Sequence, residues 1–220
     1  MLQKLIFVLM LSLGLSSSVP VSSPTVAAAT KTAVEQQHAT THRLAVFDLL
    51  KGDKFNDEVG HCSATVVGPH AILTAQHCFL NSNLIRLDAE TEPLHILAAF
   101  IDGSDHVIYL VDRTFTAWAS ISERPLVPNE PVHIWGAPGK NSDVYRSGYF
   151  QKMTTEKSVD PALTFQFELF ILPIFPGDSG SGVFDENGSV VAVTSMGDTS
   201  AEGMDLPLAF SQTQLNLASK

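Results

Sequence analysis

The chain is poor in basic residues and in cysteine, and beyond its first residues it lacks long apolar runs. Thirteen Lys and Arg stand against 23 Asp and Glu, giving a formal charge of −10 over 220 residues. No basic cluster or stripe occurs anywhere along it, so it carries no electrostatic footprint for nucleic acid. No later stretch reaches the roughly 18 to 20 apolar residues that a membrane-spanning helix needs, and no membrane span is expected in the mature form. No internal repeat and no mid-chain low-complexity tract is present. Helical periodicity is almost absent: only residues 211–220, with Leu215, Leu217 and Ala218, suggest a short helix or tail.

What stands at the N-terminus is Lys4, an apolar run over residues 5–15 and then a Ser/Pro/Ala-rich tract. This pattern predicts a secretory signal over residues 1–29, cleaved after Ala29 or earlier within residues 16–23, and hence a secreted or periplasmic protein. Residues 30–42 are expected to be a lead-in or propeptide. The two cysteines, Cys62 and Cys78, are then expected to form one disulfide in an oxidising compartment. Closing a loop of about 15 residues contributes roughly 3 kcal/mol by chain entropy.

About 180 residues remain for folding, enough for one large all-β domain or two small lobes. Short apolar or alternating runs separated by turn signals predict strands over residues 45–50, 63–67, 71–74, 94–100, 106–111, 132–135, 165–172 and 190–195. In residues 164–169 the apolar side chains fall on alternate positions, the period of a strand with one wet face. Asn187-Gly188 has the chemistry of a tight hairpin turn, since both residues tolerate positive φ. The Pro-containing stretch 120–131 reads as a linker between lobes at residues 43–119 and 132–210, so the fold expected is all-β in two lobes.

The most specific motif is Pro176-Gly177-Asp178-Ser179-Gly180-Ser181-Gly182, a glycine-rich turn with a central serine between two strands. A serine hydroxyl is a poor nucleophile unaided; it needs a base to take its proton and backbone N–H groups aimed at the oxyanion that forms on attack. A glycine at 177 lets the backbone approach that oxygen without a Cβ, which makes the N–H groups of Gly177 and Ser179 the candidate oxyanion hole. Gly-x-Ser-Gly runs also occur in ordinary loops. The second motif weighs against that plainer reading. Residues 61–78 read as strand, Gly68-Pro69 turn, strand and final turn; folded as a hairpin they bring Cys62 near Ala75, within a turn of Cys78. A disulfide there pins His77 at a strand end, as a general base must be held. His38, His42, His95 and His133 read as surface or hydrogen-bonded residues, while His61 and His70 flank the hairpin.

Through Thr74-Ala75-Gln76-His77-Cys78 and Gly177-Asp178-Ser179-Gly180 together, in that order, the chain resembles the chymotrypsin-like (trypsin-fold) serine peptidases over about residues 43–210. Gln76 stands where the family usually has alanine, leaving the His-Cys pair intact. The resemblance implies two antiparallel β-barrels with the active site in the cleft between them, and a triad with His77 as base and Ser179 as nucleophile. The triad's acid is sought among Asp88, Asp102, Asp105 and Asp112. Asp105, just before the apolar run 106–111, is preferred, with Asp102 as runner-up; aspartate at such a place is otherwise a turn residue. The resemblance further puts Pro173 at the base of the substrate pocket and Ser195, Met196 and Gly197 along its wall. With no charge at that base, apolar or small side chains are the expected preference. No Ile-Val-Gly-Gly segment precedes the first strand, so no new N-terminus is evident to pair with Asp178, which needs another partner or simply shapes its turn.

The function expected is therefore that of a serine endopeptidase acting on polypeptides, a monomer with no cofactor. Two rivals belong to other classes. His61, Cys62, His77 and Cys78 form a possible His₂Cys₂ zinc set, although that leaves the serine loop unexplained. A peptidase fold that binds without catalysis is the other, although such proteins usually lose a triad residue, and none is missing here. An α/β-hydrolase site is disfavoured because Ser179 has no strand-turn-helix context.

Overall fold

The computed structural model describes residues 35, 37–47, 58–78, 84–87, 92–101, 105–122, 124–141, 144–157, 164–195 and 201–203. The first six strands are β1 (Thr41–Phe47), β2 (Glu58–Gly68), β3 (Ala71–Ala75), β4 (Leu84–Leu87), β5 (Leu94–Ile101) and β6 (His106–Val111). They close into an antiparallel barrel in the order β1-β2-β3-β6-β5-β4. The remaining six are β7 (Pro131–Gly136), β8 (Val144–Lys157), β9 (Thr164–Ile171), β10 (Gly182–Phe184), β11 (Val190–Val193) and β12 (Ala201–Gly203). They form a curled half-barrel in the order β11-β10-β7-β8-β9-β12. This is the expected all-β, two-barrel chymotrypsin-like architecture, with the second barrel partly open among the described residues.

Side-chain alternation divides the strands between three cores. On β2, Cys62 and Ala64 turn into the first barrel with Leu44, Ile72, Ile85, Leu87, Val107 and Tyr109. On β3 and β6, Ala71, Leu73 and Ile108 turn the other way and pack against Phe184, Val190 and Val193 of the second sheet. That shared layer explains why β3 is buried along its whole length: both its faces are covered, so period two disappears from its sequence. The third core lies within the second lobe, where Phe150 and Phe170 meet edge to face with ring centroids 5.6 Å apart, beside Val132, Ile134, Leu172 and Val183. Each fully buried Leu, Ile or Phe side chain contributes roughly 1.5 to 3 kcal/mol.

Strand β8, fourteen residues long, was not expected from the sequence, nor were β4 and β12. Tyr145, Tyr149 and Met153 of β8 are exposed, so apolar side chains on its outer face blur the alternation that marks a half-buried strand. The Asn187-Gly188 turn also differs from expectation. Only Gly188 has positive φ (85°), and the loop is a wider one closed by Asp185 N–H donating to Ser189 O at 3.0 Å. The buried Asp185 carboxylate organises it, accepting the N–H groups of Asn187 (3.0 Å) and Ser189 (2.9 Å). Ahead of β1, residues 37–40 make a helical turn, Gln37 is buried with its side-chain oxygen on the His133 ring, and His38 packs on Trp135 at 4.4 Å. His133, expected at the surface or hydrogen-bonded, is thus buried and bonded. The helix suggested over residues 211–220 lies outside the described residues.

Candidate active site

His77 owes its position to the end of β3. After Ala75 the chain tightens into a 3-10 turn, Gln76–Cys78, which buries Cys78 and leaves His77 exposed. Cys78 is bonded to Cys62 of β2. Because Ala75 is paired with His106 on β6, Asp105 arrives directly opposite the turn, and its carbonyl accepts the Gln76 N–H at 2.6 Å. Its carboxylate then grips His77 twice: Oδ1 accepts the backbone N–H at 2.8 Å, and Oδ2 lies 2.6 Å from the ring Nδ1. An ionised carboxylate only accepts, so Nδ1 carries the hydrogen and Nε2 is left as the basic nitrogen. The Ser195 hydroxyl donates to the same Oδ2. Burial works against the Asp105 carboxylate, but hydrogen bonds from the His77 ring, the Ser195 hydroxyl and the His77 backbone outweigh it and hold its pKa below the ordinary 3.8.

Ser179 sits in a loop whose backbone is tied at nearly every residue. Ser63 of β2 is the hub on the first lobe: its N–H donates to Ser179 O at 2.8 Å, and its hydroxyl donates to Gly177 O at 2.9 Å while accepting the Ala137 N–H at 3.0 Å. Two residues on, and so on the same face of the strand, Thr65 Oγ1 accepts the Gly182 N–H at 2.9 Å. From the second lobe, Thr194 O accepts the Gly180 N–H at 2.8 Å, and Gly139 N–H donates to Pro176 O at 2.9 Å. Two of the loop glycines are required as such. Gly177 has φ +105° and a Cβ there would lie 2.4 Å from Ala137 O; Gly180 has φ +87° and its Cβ would lie 2.2 Å from both Ser63 O and Thr74 Oγ1.

Asp178 is fully buried, and its partner is Arg146 of β8, whose Nη2 donates to Oδ1 at 2.5 Å. Its Oδ2 accepts the Phe175 N–H at 2.7 Å. Gly136 makes room for the pair, since a Cβ there would lie 2.1 Å from Asp178 Oδ1.

The structure therefore brings His77, Asp105 and Ser195 together by direct hydrogen bonds and sets Ser179 and Gly177 in the loop tied to Ser63. The other candidates separate. Asp112 carries a second histidine in the same manner, its Oδ2 2.7 Å from His95 Nδ1, so His95 is hydrogen-bonded on the surface as expected. Asp88, Asp102, Met196 and Gly197 lie outside the described residues. Pro173 is exposed while Ile174 is buried. The zinc set is overturned: Cys62 and Cys78 spend their sulfurs on each other at 2.02 Å. His61 instead lies against the serine loop, its Nε2 2.9 Å from where a Gly177 Cβ would be. Ser63, Thr65, Thr194 and Arg146 escaped the sequence reading. For the first two the sequence carries only their alternate spacing along β2, which a strand with a solvent-facing side shows equally.

A family model for the trypsin-like peptidase domain matches residues 62–193, which spans the disulfide, His77, Asp105 and Ser179, and the chain belongs to that family. It is a serine peptidase of the chymotrypsin fold. Among solved structures, the Rv3671c protease of M. tuberculosis in its inactive form is similar at a TM-score of 0.68 and 18% identity, covering 92% of this chain and 100% of that one. The active form of that protease gives 0.64 and 16%, with 90% of each chain covered. A serine endoprotease from Yersinia pestis gives 0.61 and 16%, covering 87% of this chain and 65% of that one. No curated protein sequence matches the chain.

Proposed function

We propose that the protein is a secreted or periplasmic serine endopeptidase, acting as a monomer, in which Ser179 is the nucleophile, His77 the general base and Asp105 the acid that orients it. The observation that carries the reading is the two-point grip of Asp105 on His77, with Nδ1 at 2.6 Å from the carboxylate, because it fixes the ring tautomer a base needs. Ser179 Oγ attacks the scissile carbonyl carbon as its proton passes to His77 Nε2. The negative oxygen that results is held by the N–H groups of Gly177 and Ser179. Collapse breaks the C–N bond, His77 returns the proton to the departing amine, and an acyl-enzyme remains on Ser179. Water then enters by the same steps in reverse order, giving the free acid. Pro173 at the pocket base, with Ser195, Met196 and Gly197 along the wall, brings no charge, so an apolar or small side chain is the preferred residue before the cut. Residues 1–29 serve as signal peptide and 30–42 as lead-in, with the lobes at 43–119 and 132–210 joined by 120–131.

Labelling of the purified mature protein with a fluorophosphonate, followed by cleavage of a mixed peptide library, tests this. Wild type is expected to label and cleave, and Ser179→Ala and His77→Ala to do neither, with kcat lowered by about 10⁴- to 10⁶-fold. A folded, disulfide-bonded wild type that does neither would make this a binding protein on a peptidase fold, or a zymogen awaiting removal of residues 30–42. Cleavage only after Lys or Arg would overturn the pocket assignment.

A further inference from the structure

We infer that Thr194 is a positioning residue of the oxyanion hole, its hydroxyl setting the direction of the Ser179 N–H. The inference rests on the reading of Gly177 and Ser179 as the hole's donors and asks what keeps those donors aimed. A planar trans peptide points its C=O and its N–H in opposite directions, and no peptide bond among the described residues is cis. The Ser179 N–H therefore shares a rigid plate with the carbonyl of Asp178. That carbonyl accepts the Thr194 hydroxyl at 2.5 Å and the Ser181 N–H at 2.8 Å. The Gly177 N–H shares its plate with the Pro176 carbonyl, which accepts the Gly139 N–H at 2.9 Å. Both proposed donors are thus the free ends of plates anchored at the other end. Turning either plate over would put a carbonyl oxygen where the oxyanion must form, and would break these anchors first.

Thr194 suits the task. It is fully buried at the end of β11, so its hydroxyl has no water to bond instead. Its backbone holds the loop as well, with N–H to Ser181 O at 2.9 Å and O from Gly180 N–H. The hydroxyl also lies 3.2 Å from Ser181 O, but it has one proton, and the shorter contact is the one to Asp178. The next residue, Ser195, points to the other face of the extended chain and serves Asp105. Two consecutive side chains thus hold the two ends of the charge-stabilising apparatus, one at the acid and one at the oxyanion.

Thr194→Val removes the hydroxyl and keeps the shape; Thr194→Ser keeps the hydroxyl. Each is compared with wild type for kcat and KM on a cleaved peptide, for inhibition by the matching peptide aldehyde, whose hemiacetal oxygen enters the hole, and for inhibition by the corresponding alcohol, which forms no such oxygen. In Thr194→Val, kcat is expected to fall about 10- to 100-fold with KM changed less than about twofold. Aldehyde affinity should weaken in parallel, alcohol affinity should hold, and Thr194→Ser should return kcat to within about threefold of wild type. Equal kcat in Thr194→Val and wild type would overturn the inference, as would parallel weakening of aldehyde and alcohol, which marks a merely structural role. If Thr194→Val does not fold, Thr194→Ala is measured by the same four readouts with the same outcomes. A wild type that fails to label with fluorophosphonate would sink the reading of Ser179 itself, which is a separate result from a labelling wild type indifferent to residue 194.

Discussion

Replacing Arg146 with methionine should destabilise the protein by about 3 to 5 kcal/mol, the usual cost of removing one partner from a buried ion pair. Asp178 is fully buried, and Arg146 is nearly so, with 11% of its side chain exposed. Methionine keeps the unbranched apolar stem, including contact with the Phe175 ring over which the guanidinium lies at 5.5 Å, but it leaves Asp178 Oδ1 without its donor. Among the described residues the carboxylate then retains only the Phe175 N–H. A loss of that size is a large share of the roughly 5 to 15 kcal/mol that holds a domain together, and at about 2 to 4 °C per kcal/mol it lowers Tm by roughly 6 to 20 °C. Urea unfolding followed by tryptophan fluorescence at pH 7 measures it. Adding Asp178→Asn should recover much of the loss, because a neutral amide is cheaper to bury than an unpaired carboxylate. A cost below about 1 kcal/mol for Arg146→Met, or no recovery in the double variant, would refute the idea that this pair anchors the serine loop. The pair also supplies, from within the folded chain, the cation that the absent Ile-Val-Gly-Gly segment does not provide.

Two further variants test the site. Asp105 has its pKa lowered in the folded state, so its contribution to stability is fully present above the unfolded value near 4 and is lost as pH falls through the folded one; the stability difference between wild type and Asp105→Asn should shrink as pH falls below about 4. At neutral pH the same variant should lose about 10⁴-fold in kcat, since an amide no longer fixes the ring tautomer. Removing the disulfide as Cys62→Ala/Cys78→Ala opens a loop of sequence separation 16 and should cost roughly 3 kcal/mol in thermal or urea unfolding, together with slower phosphonate labelling because Cys78 adjoins His77.

The architecture was legible where strands are bounded by strong turns or carry clear alternation. β3, β6 and β7 were found within a residue or two because Gly68-Pro69 and the apolar runs mark them. β8 was not, because Tyr145, Tyr149 and Met153 place apolar groups on its solvent face. At the site, His77, Asp105 and Ser179 stood out because their chemistry is local in sequence: a histidine beside a cysteine, an aspartate before a buried run, a serine among glycines. Ser195 was read as pocket wall, and its hydroxyl proves to lie on Asp105. The supporting hydroxyls Ser63 and Thr65 were invisible since their partners lie 114 and 117 residues away. Nothing in a linear sequence distinguishes such a hydroxyl from a solvent-facing one. Arg146 was hidden for the same reason, its partner lying 32 residues away and its strand carrying no clear alternation.

Strand β2 faces two ways, giving its cysteine and alanine to one barrel and its hydroxyls to the loop of the other. The consequence is temporal. Before the lobes dock, Gly177 O and Ser179 O have no Ser63 to receive, and the serine loop lacks its template. A chain folded in one half only thus carries the serine loop without the Ser63 and Thr65 contacts that tie it. The shape of that loop is therefore a property of the two lobes together and of neither alone.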